Sequence, residues 1–170
     1  MKTPLLLLIG LAGCAAMAQA QTKVSGTGKC GQPDAQQSIE VGDRAGHMLE
    51  IVKQSCTFAK PLEMEGLKSV SYTVAIAADA KGAKSQDRAY VVVTMDNGDK
   101  AFVQVQGTTV TTKEGRPESG EGTWWYTGGT GKLKGIAGKG SYKSTMGADG
   151  QQTMIEGAYS IAPPAAATKK

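Results

Sequence analysis

A glycine-rich stretch followed by lysines is the first place where this chain could do chemistry. Glycine loops can cradle phosphate groups with their backbone N–H groups. The Walker pattern would need glycine at position 126 and Ser or Thr at position 133, which hold Tyr126 and Leu133. The dinucleotide pattern that starts at Gly129 would need glycine where Lys134 stands. We therefore predict a structural turn that is built on Gly128, Gly129, Gly131 and Gly135.

His47 is the only histidine, and its imidazole could act as a general base near neutral pH. A hydrolase would also need a nucleophile, and the chain contains no Gly-x-Ser-x-Gly elbow. We predict that His47 lies at the surface or at a strand edge. No catalytic residue is assigned from the sequence.

The chain contains three cysteines, Cys14, Cys30 and Cys56. Cys14 falls within an apparent export signal, so Cys30 and Cys56 remain in the mature chain. In an oxidising compartment such a pair favours a disulfide, which would close a loop of about 25 residues and stabilise the fold by about 3 kcal/mol. A metal site is the alternative, but it would need more Cys or His ligands. We expect no metal and no cofactor.

Three adjacent aromatic residues are candidates for ligand contact. Strand alternation sends Trp124 and Tyr126 to one face and Trp125 to the other. One face must pack in the core, whereas an exposed tryptophan near a barrel mouth would suit a hydrophobic or sugar ligand. The candidate ligand-binding residues are Tyr72, Trp124, Trp125, Tyr126 and Tyr159.

The N-terminus is typical of an export signal. Lys2 supplies a positive charge, and the apolar run from Leu5 to Ala12 is too short to span a bilayer. Ala18-Gln-Ala20 predicts cleavage after residue 20, which makes 1–20 a signal peptide. Leu11-Ala-Gly-Cys14 also resembles a bacterial lipobox, which would leave a lipoprotein anchored through Cys14. We favour an exported periplasmic or secreted protein, with no transmembrane helix.

The charge of the chain is modest. The net charge is +4, and loss of Lys2 with the signal would leave +3 on interspersed residues. This balance gives no reason to expect nucleic acid or an anionic membrane as a partner. It does not indicate the oligomeric state. The Ala-, Pro- and Lys-rich residues 163–170 predict a disordered tail.

Alternating hydrophobicity between turn residues predicts an all-β domain over residues 21–162. The strands lie near 47–53, 69–76, 88–95, 101–110, 121–127, 138–146 and 151–161, with Asn97-Gly98 as a hairpin turn. The first of these would place Leu49 and Ile51 on one face, and 80–87 would be a polar linker. About eight strands suggest a single closed antiparallel barrel, because closure removes both sheet edges. Its inward residues would include Val70, Tyr72, Val74, Ile155 and Tyr159.

A family resemblance supports the barrel. The segment from Tyr126 to Ile136, followed by Gly138-Lys-Gly-Ser-Tyr142, resembles the Gly-Gly-Thr-Gly-x-Phe/Leu-x-Gly segment of the allene oxide cyclase and dirigent-like barrels. The resemblance covers residues 119–161 and implies that this segment joins two late strands of an eight-stranded barrel. The remainder is similar to secreted bacterial proteins that share this barrel. The active-site residues of the plant cyclases do not match residue by residue, so cyclase activity is not implied.

Three functions fit these observations. The first is an exported barrel that binds a small hydrophobic or amphipathic molecule without catalysis. The second is a barrel enzyme, similar to a cyclase or isomerase, that orients a hydrophobic substrate in the lumen. The third is a structural or protein-interaction role in the cell envelope. An enzyme should bring two or three ionisable residues together in the lumen.

Overall fold

The computed structural model describes residues 21–113, 116–147 and 150–162. The predicted signal peptide, Cys14 and the predicted tail at 163–170 lie outside these residues. The strands are β1 (Thr22–Cys30), β2 (Ala35–Glu40), β3 (His47–Lys60), β4 (Glu63–Met64), β5 (Leu67–Lys81), β6 (Lys84–Met95), β7 (Lys100–Thr111), β8 (Pro117–Gly129), β9 (Ile136–Gly147) and β10 (Gly150–Ile161). A single-turn 3₁₀ helix at Gly131–Leu133 separates β8 from β9. No helix in the described ranges is long and apolar enough to cross a membrane.

Eight of these strands close into an antiparallel barrel, as the sequence predicts. The order around the barrel is β1, β10, β9, β8, β7, β6, β5 and β3, and β3 returns to β1. The strand β3 makes this closure possible because its two edges are used differently. One edge pairs with β5, whereas the other is shared between β2 and β1. The short strands β2 and β4 are additions to the barrel.

Cys30 and Cys56 are joined by a disulfide at the seam where β1 meets β3. The two residues are direct cross-strand partners in this pairing. The expected disulfide between Cys30 and Cys56 is therefore confirmed, and the bond lies where the barrel closes.

The predicted inward position of Val70 is wrong. Val70 is exposed because a β-bulge between Ser69 and Ser71 adds one residue to β5 and turns Val70 outward. Leu49 and Ile51 share one face of β3, as predicted, and that face is the outer one, where they are 49% and 59% exposed. The inward-facing residues of β3 are those at the alternate positions, which include Gln54 and Cys56.

The predicted polar linker at 80–87 is also wrong, because β5 runs to Lys81 and β6 begins at Lys84. A two-residue turn joins the strands, and Gly82 takes the positive φ that such a turn requires. Inward and outward positions still alternate along this segment. Because its residues are alanine, glycine and polar side chains, the sequence shows no alternation of hydrophobicity there.

One end of the barrel is closed by packed side chains. Met64, Met95 and Leu133 are almost completely buried there, and they come from β4, the end of β6 and the 3₁₀ helix. The loop through Leu62 bonds back onto β5, since the backbone of Leu62 donates to Ser69 Oγ at 2.8 Å. These contacts form the floor of the barrel. The lumen lies above this floor and extends toward the opposite end.

Candidate functional site

The lumen contains a cavity of about 160 Å³ that is partly open to solvent. Its apolar lining comes from inward positions of β3, β5, β6, β7, β8, β9 and β10, and from Leu62 in the loop after β3. The apolar and aromatic side chains are Phe58, Leu62, Tyr72, Val74, Ile76, Ala89, Val91, Val93, Val103, Val105, Trp124, Tyr126, Tyr142 and Ile155. Such a lining excludes water and favours an apolar ligand.

Glycines on neighbouring strands shape this lumen by leaving space for aromatic rings. Trp124, Gly140 and Gly157 are cross-strand neighbours on β8, β9 and β10. A Cβ atom on Gly140 or Gly157 would collide with the Trp124 ring. The ring therefore lies across both glycines, and its Nε1 donates to the Ser141 carbonyl at 3.1 Å.

Tyr142, on the neighbouring strand β9, packs in the same way, with its ring turned toward β8 and β7. Asp87, Gly107, Gly122 and Tyr142 form one cross-strand row over β6, β7, β8 and β9. The Tyr142 ring covers Gly122, and its hydroxyl reaches Gly107, the direct partner of Asp87. Burial raises the pKa of Tyr142 to about 12, with a further contribution from the charges of Asp87 and Glu121.

Tyr72 stands beside the disulfide. Its hydroxyl lies over Gly28 and is 3.1 Å from Cys30 Sγ. Its ring packs against Phe58 with centroids 4.9 Å apart. Burial raises the pKa of Tyr72 to about 12, so the phenol is a neutral group of the cavity wall at physiological pH.

Tyr126 and Tyr159 belong to the closed end. The Tyr126 hydroxyl donates to Met64 Sδ at 3.1 Å, and burial raises the pKa of Tyr126, with a smaller contribution from Tyr159. Tyr159 is buried, and its hydroxyl accepts a hydrogen bond from the Glu65 backbone and donates to Glu65 Oε1. Tyr126 lines the cavity, whereas Tyr159 fixes the loop that covers the floor.

The polar part of the lining lies toward the open end. Asp87 accepts hydrogen bonds from Ser85 Oγ at 2.6 Å and from Thr109 Oγ1 at 2.5 Å, one on each carboxylate oxygen. Gln54 is buried and donates to the Gly31 carbonyl. The remaining polar side chains of this lining are Ser144, Gln151 and Thr153. The cavity thus has an apolar body and one carboxylate near its mouth.

Trp125 lies on the face opposite to Trp124 and Tyr126, as alternation predicts; this face is the outside of the barrel and does not border the cavity. It lines a separate surface groove with Arg88, Tyr90, Gln104 and Gln106. Among the aromatic candidates from the sequence, the structure brings Tyr72, Trp124 and Tyr126 together around the lumen. It places Trp125 and Tyr159 elsewhere.

The sequence predicts His47 at the surface or at a strand edge; it is the first residue of β3, but it is buried and not exposed. His47 is buried between two carboxylates, with Nδ1 2.5 Å from Asp43 Oδ1 and Nε2 2.9 Å from Asp79 Oδ1. The hydrogen bond from His47 lowers the pKa of Asp43. At Asp79, burial alone would raise the pKa of the carboxyl group. Hydrogen bonds from His47 and Lys81 outweigh burial, so the pKa of Asp79 is lowered as well. His47 ties the loop after β2 to β5 and does not border the cavity.

The glycine-rich loop binds a carboxylate of its own chain. Asp99 occupies the space beside Gly131 and accepts a hydrogen bond from the Lys132 backbone at 2.9 Å. Thr130 Oγ1 accepts a hydrogen bond from the Lys100 backbone. Gly131 and Gly135 have φ angles of 52° and 79°, which favour glycine. The geometry joins this loop to the β6–β7 hairpin.

Sequence reasoning did not single out Asp87 and Tyr142. A signal for the lumen was present in the alternate glycines of Gly26-x-Gly28, Gly120-x-Gly122 and Gly138-x-Gly140. Glycine at every second strand position marks a wall that large side chains from neighbouring strands must cover.

No protein family model and no curated protein matches the chain. Among solved structures, the chain is similar to one described as Pyocyanin demethylase, with a TM-score of 0.40 and 13% sequence identity. The alignment covers 78% of this chain and 98% of that chain. A likeness at this level supports no functional argument. The closed barrel expected from the allene oxide cyclase and dirigent-like resemblance is present, whereas membership of that superfamily stays a prediction.

Proposed function

We propose that the protein binds one small apolar or amphipathic molecule in the barrel lumen without transforming it. The observation that carries this proposal is the partly open cavity with an apolar and aromatic lining. Its volume of about 160 Å³ is close to that of an engineered apolar cavity of about 150 Å³ that binds benzene. A ligand with about one aromatic ring, or a short branched chain, fits this space.

The ionisable groups around the cavity favour binding over catalysis. Among the described residues that line it, the titratable side chains are Asp87, Tyr72, Tyr126 and Tyr142. The three tyrosines have raised pKa values because they are buried, so all three phenols are protonated near neutral pH. A single carboxylate held by two hydroxyl groups provides no acid and base pair.

Trp124 lies in the cavity wall and can report occupancy. In a Trp125→Phe background, we expect small aromatic alcohols and hydrocarbons to change the fluorescence of Trp124 saturably. Ala89→Leu places a larger side chain in the cavity and should abolish this response. Ala75→Leu makes the same change on the exposed face of β5 and should preserve it. A response that survives Ala89→Leu, or no response from any probe, would contradict lumen binding.

We also propose that the domain is exported and begins at Gln21. A disulfide in the barrel is consistent with an oxidising compartment. Cleavage after Ala20 would leave β1, which starts at Thr22, complete. The intact mass of the exported protein tests the site. A mass that starts at Cys14 with attached lipid would establish the anchored form instead.

A further inference from the structure

Asp87 is the charged side chain of the described cavity lining, and the two side chains that hydrogen-bond to it are neutral. Ser85 and Thr109 each donate one hydrogen bond to it. These two hydroxyl groups orient the carboxylate, but they do not balance its charge. Within the described part of the chain, no lysine, arginine or histidine forms an ion pair with Asp87, and the neighbouring Arg88 is exposed on the outer face.

A carboxylate at the edge of an apolar lumen favours a positively charged partner. Removal of charge from water is costly unless an opposite charge or sufficient hydrogen bonds compensate it. A carboxylate has about four acceptor positions, and two donors leave room for more. A protonated amine that enters the cavity could donate to the remaining positions and neutralise the charge.

Tyr142 provides the second half of this arrangement. One side of its ring packs on Gly107 and Gly122, while the ring also borders the cavity. The cross-strand row from Asp87 through both glycines directs the tyrosine toward the carboxylate. A cation held at Asp87 therefore lies on the hydroxyl side of Tyr142, and the phenol oxygen can accept a hydrogen bond from an ammonium group.

We propose that the ligand of the lumen is an amphipathic amine, whose ammonium group binds Asp87 beside Tyr142 while its apolar body contacts Val91, Val105 and Trp124. This inference rests on the proposed function, since it assigns chemistry to the ligand of the same cavity. The two hydroxyl groups of Ser85 and Thr109 hold the carboxylate in place for that contact.

Three probes that share a phenyl ring and differ in charge separate the contribution of the ammonium group to binding from that of the apolar body. Benzylammonium, benzyl alcohol and phenylacetate can be titrated against the Trp125→Phe protein by Trp124 fluorescence and calorimetry. Benzylammonium should bind at least about tenfold more tightly than benzyl alcohol, and phenylacetate should bind most weakly. Asp87→Asn should remove the preference for the ammonium probe and keep binding of the alcohol.

Glu156→Gln is the matched control, because it removes one negative charge from the exposed face of β10. It should leave the preference unchanged. Equal or tighter binding of the alcohol by the wild-type lumen, or a preference that survives Asp87→Asn, would overturn the amine assignment and leave lumen binding intact. Failure of all three probes would contradict both proposals.

A second measurement covers the case in which Asp87→Asn does not fold. In the wild-type complex with benzylammonium, nuclear Overhauser effects from the ligand methylene protons should reach Tyr142 and Thr109. Contacts from those protons to Tyr126 alone would place the amine at the closed end and overturn the assignment.

Discussion

At the scale of single residues, the lumen depends on pairs of glycine and aromatic side chains. Trp124 covers Gly140 and Gly157, Tyr142 covers Gly107 and Gly122, and Tyr72 covers Gly28. Each glycine removes a side chain that would otherwise fill the same space. The rings thus form the wall while a cavity remains inside it.

Gly157→Ala tests this packing. Its added methyl group would collide with Trp124 and lie close to the Lys139 carbonyl. We expect a loss of about 1–3 kcal/mol in the free energy of unfolding, the usual range for overpacking. Urea denaturation measures the loss, and near-ultraviolet circular dichroism reports the displaced Trp124.

Gly31→Ala is the matched control, since no atom lies within 4 Å of the methyl position and its φ is not positive. It should be neutral or slightly stabilising. Equal effects of the two substitutions would show that the contact with Trp124 is not the cause.

The Asp43–His47–Asp79 cluster predicts a pH dependence of stability. The folded pKa of Asp43 lies below its ordinary value because of the hydrogen bond from His47, and that of Asp79 is lowered because hydrogen bonds from His47 and Lys81 outweigh the effect of burial. A carboxyl group with a lowered folded pKa contributes stability above its unfolded pKa and loses it as the pH falls through the folded pKa. The stabilisation should therefore be present at neutral pH and disappear on strong acidification.

Denaturation curves from neutral to strongly acidic pH measure this contribution. The double variant Asp43→Asn/Asp79→Asn should lose less stability on acidification than the wild-type protein. Asp96→Asn, which removes a carboxylate away from His47, should follow the wild-type profile. Parallel profiles for the double variant and the wild type would exclude the cluster as a source.

The residue-level features were only partly predictable from the sequence. That Trp125 faces opposite to Trp124 and Tyr126 follows from alternation alone, whereas alternation does not decide which of the two faces is the core. The burial of His47 depends on Asp79, which is 32 positions away and reaches it only when β3 pairs with β5. The Asp87 environment likewise needs Thr109 from the next strand. Local patterns do not contain such pairings.

At the scale of elements, the weakest part of the barrel is its seam. The strands β1 and β3 share four register pairs with an irregularity after Thr27, whereas β3 and β5 share eleven. The disulfide joins one of the four pairs. It therefore fixes the pairing that converts an open sheet into a closed barrel.

Removal of this disulfide should lower stability and loosen the seam. The double variant Cys30→Ala/Cys56→Ala should lose about 3 kcal/mol in the chain-entropy model. Chemical denaturation measures the loss, and amide exchange should rise in β1 more than in β7. Alkylation of the unfolded wild-type protein without reductant should label neither thiol. Full labelling, or unchanged stability of the double variant, would contradict this role.

The strands with clear apolar alternation were predictable, and the others explain the errors. The inward positions of β1 are Val24, Gly26, Gly28 and Cys30, and two of these four are glycines without an apolar side chain. The bulge in β5 changes the face within one strand, which no constant period can anticipate. Closure itself was predictable because an eight-stranded sheet would otherwise leave two long edges.

At the scale of the whole molecule, the barrel has two different ends. Met64, Met95 and Leu133 close one end, and the polar groups around Asp87 surround the other. A ligand can therefore enter from the polar end and rest its apolar part above the closed end. The added strands follow the same division, since β4 supports the floor and β2 extends the wall beside β3.

This architecture predicts an order of local opening. All six residues of β2 are exposed, and this strand pairs along one edge with β3. Each barrel strand pairs along both edges and contributes side chains to one core. We expect β2 amides to exchange at low free energies of opening, and amides in β6, β7 and β8 to exchange only through global unfolding. Native-state hydrogen exchange in low denaturant measures both. Equal protection of β2 and β7 would mean that the added strand unfolds together with the barrel and contributes to its stability.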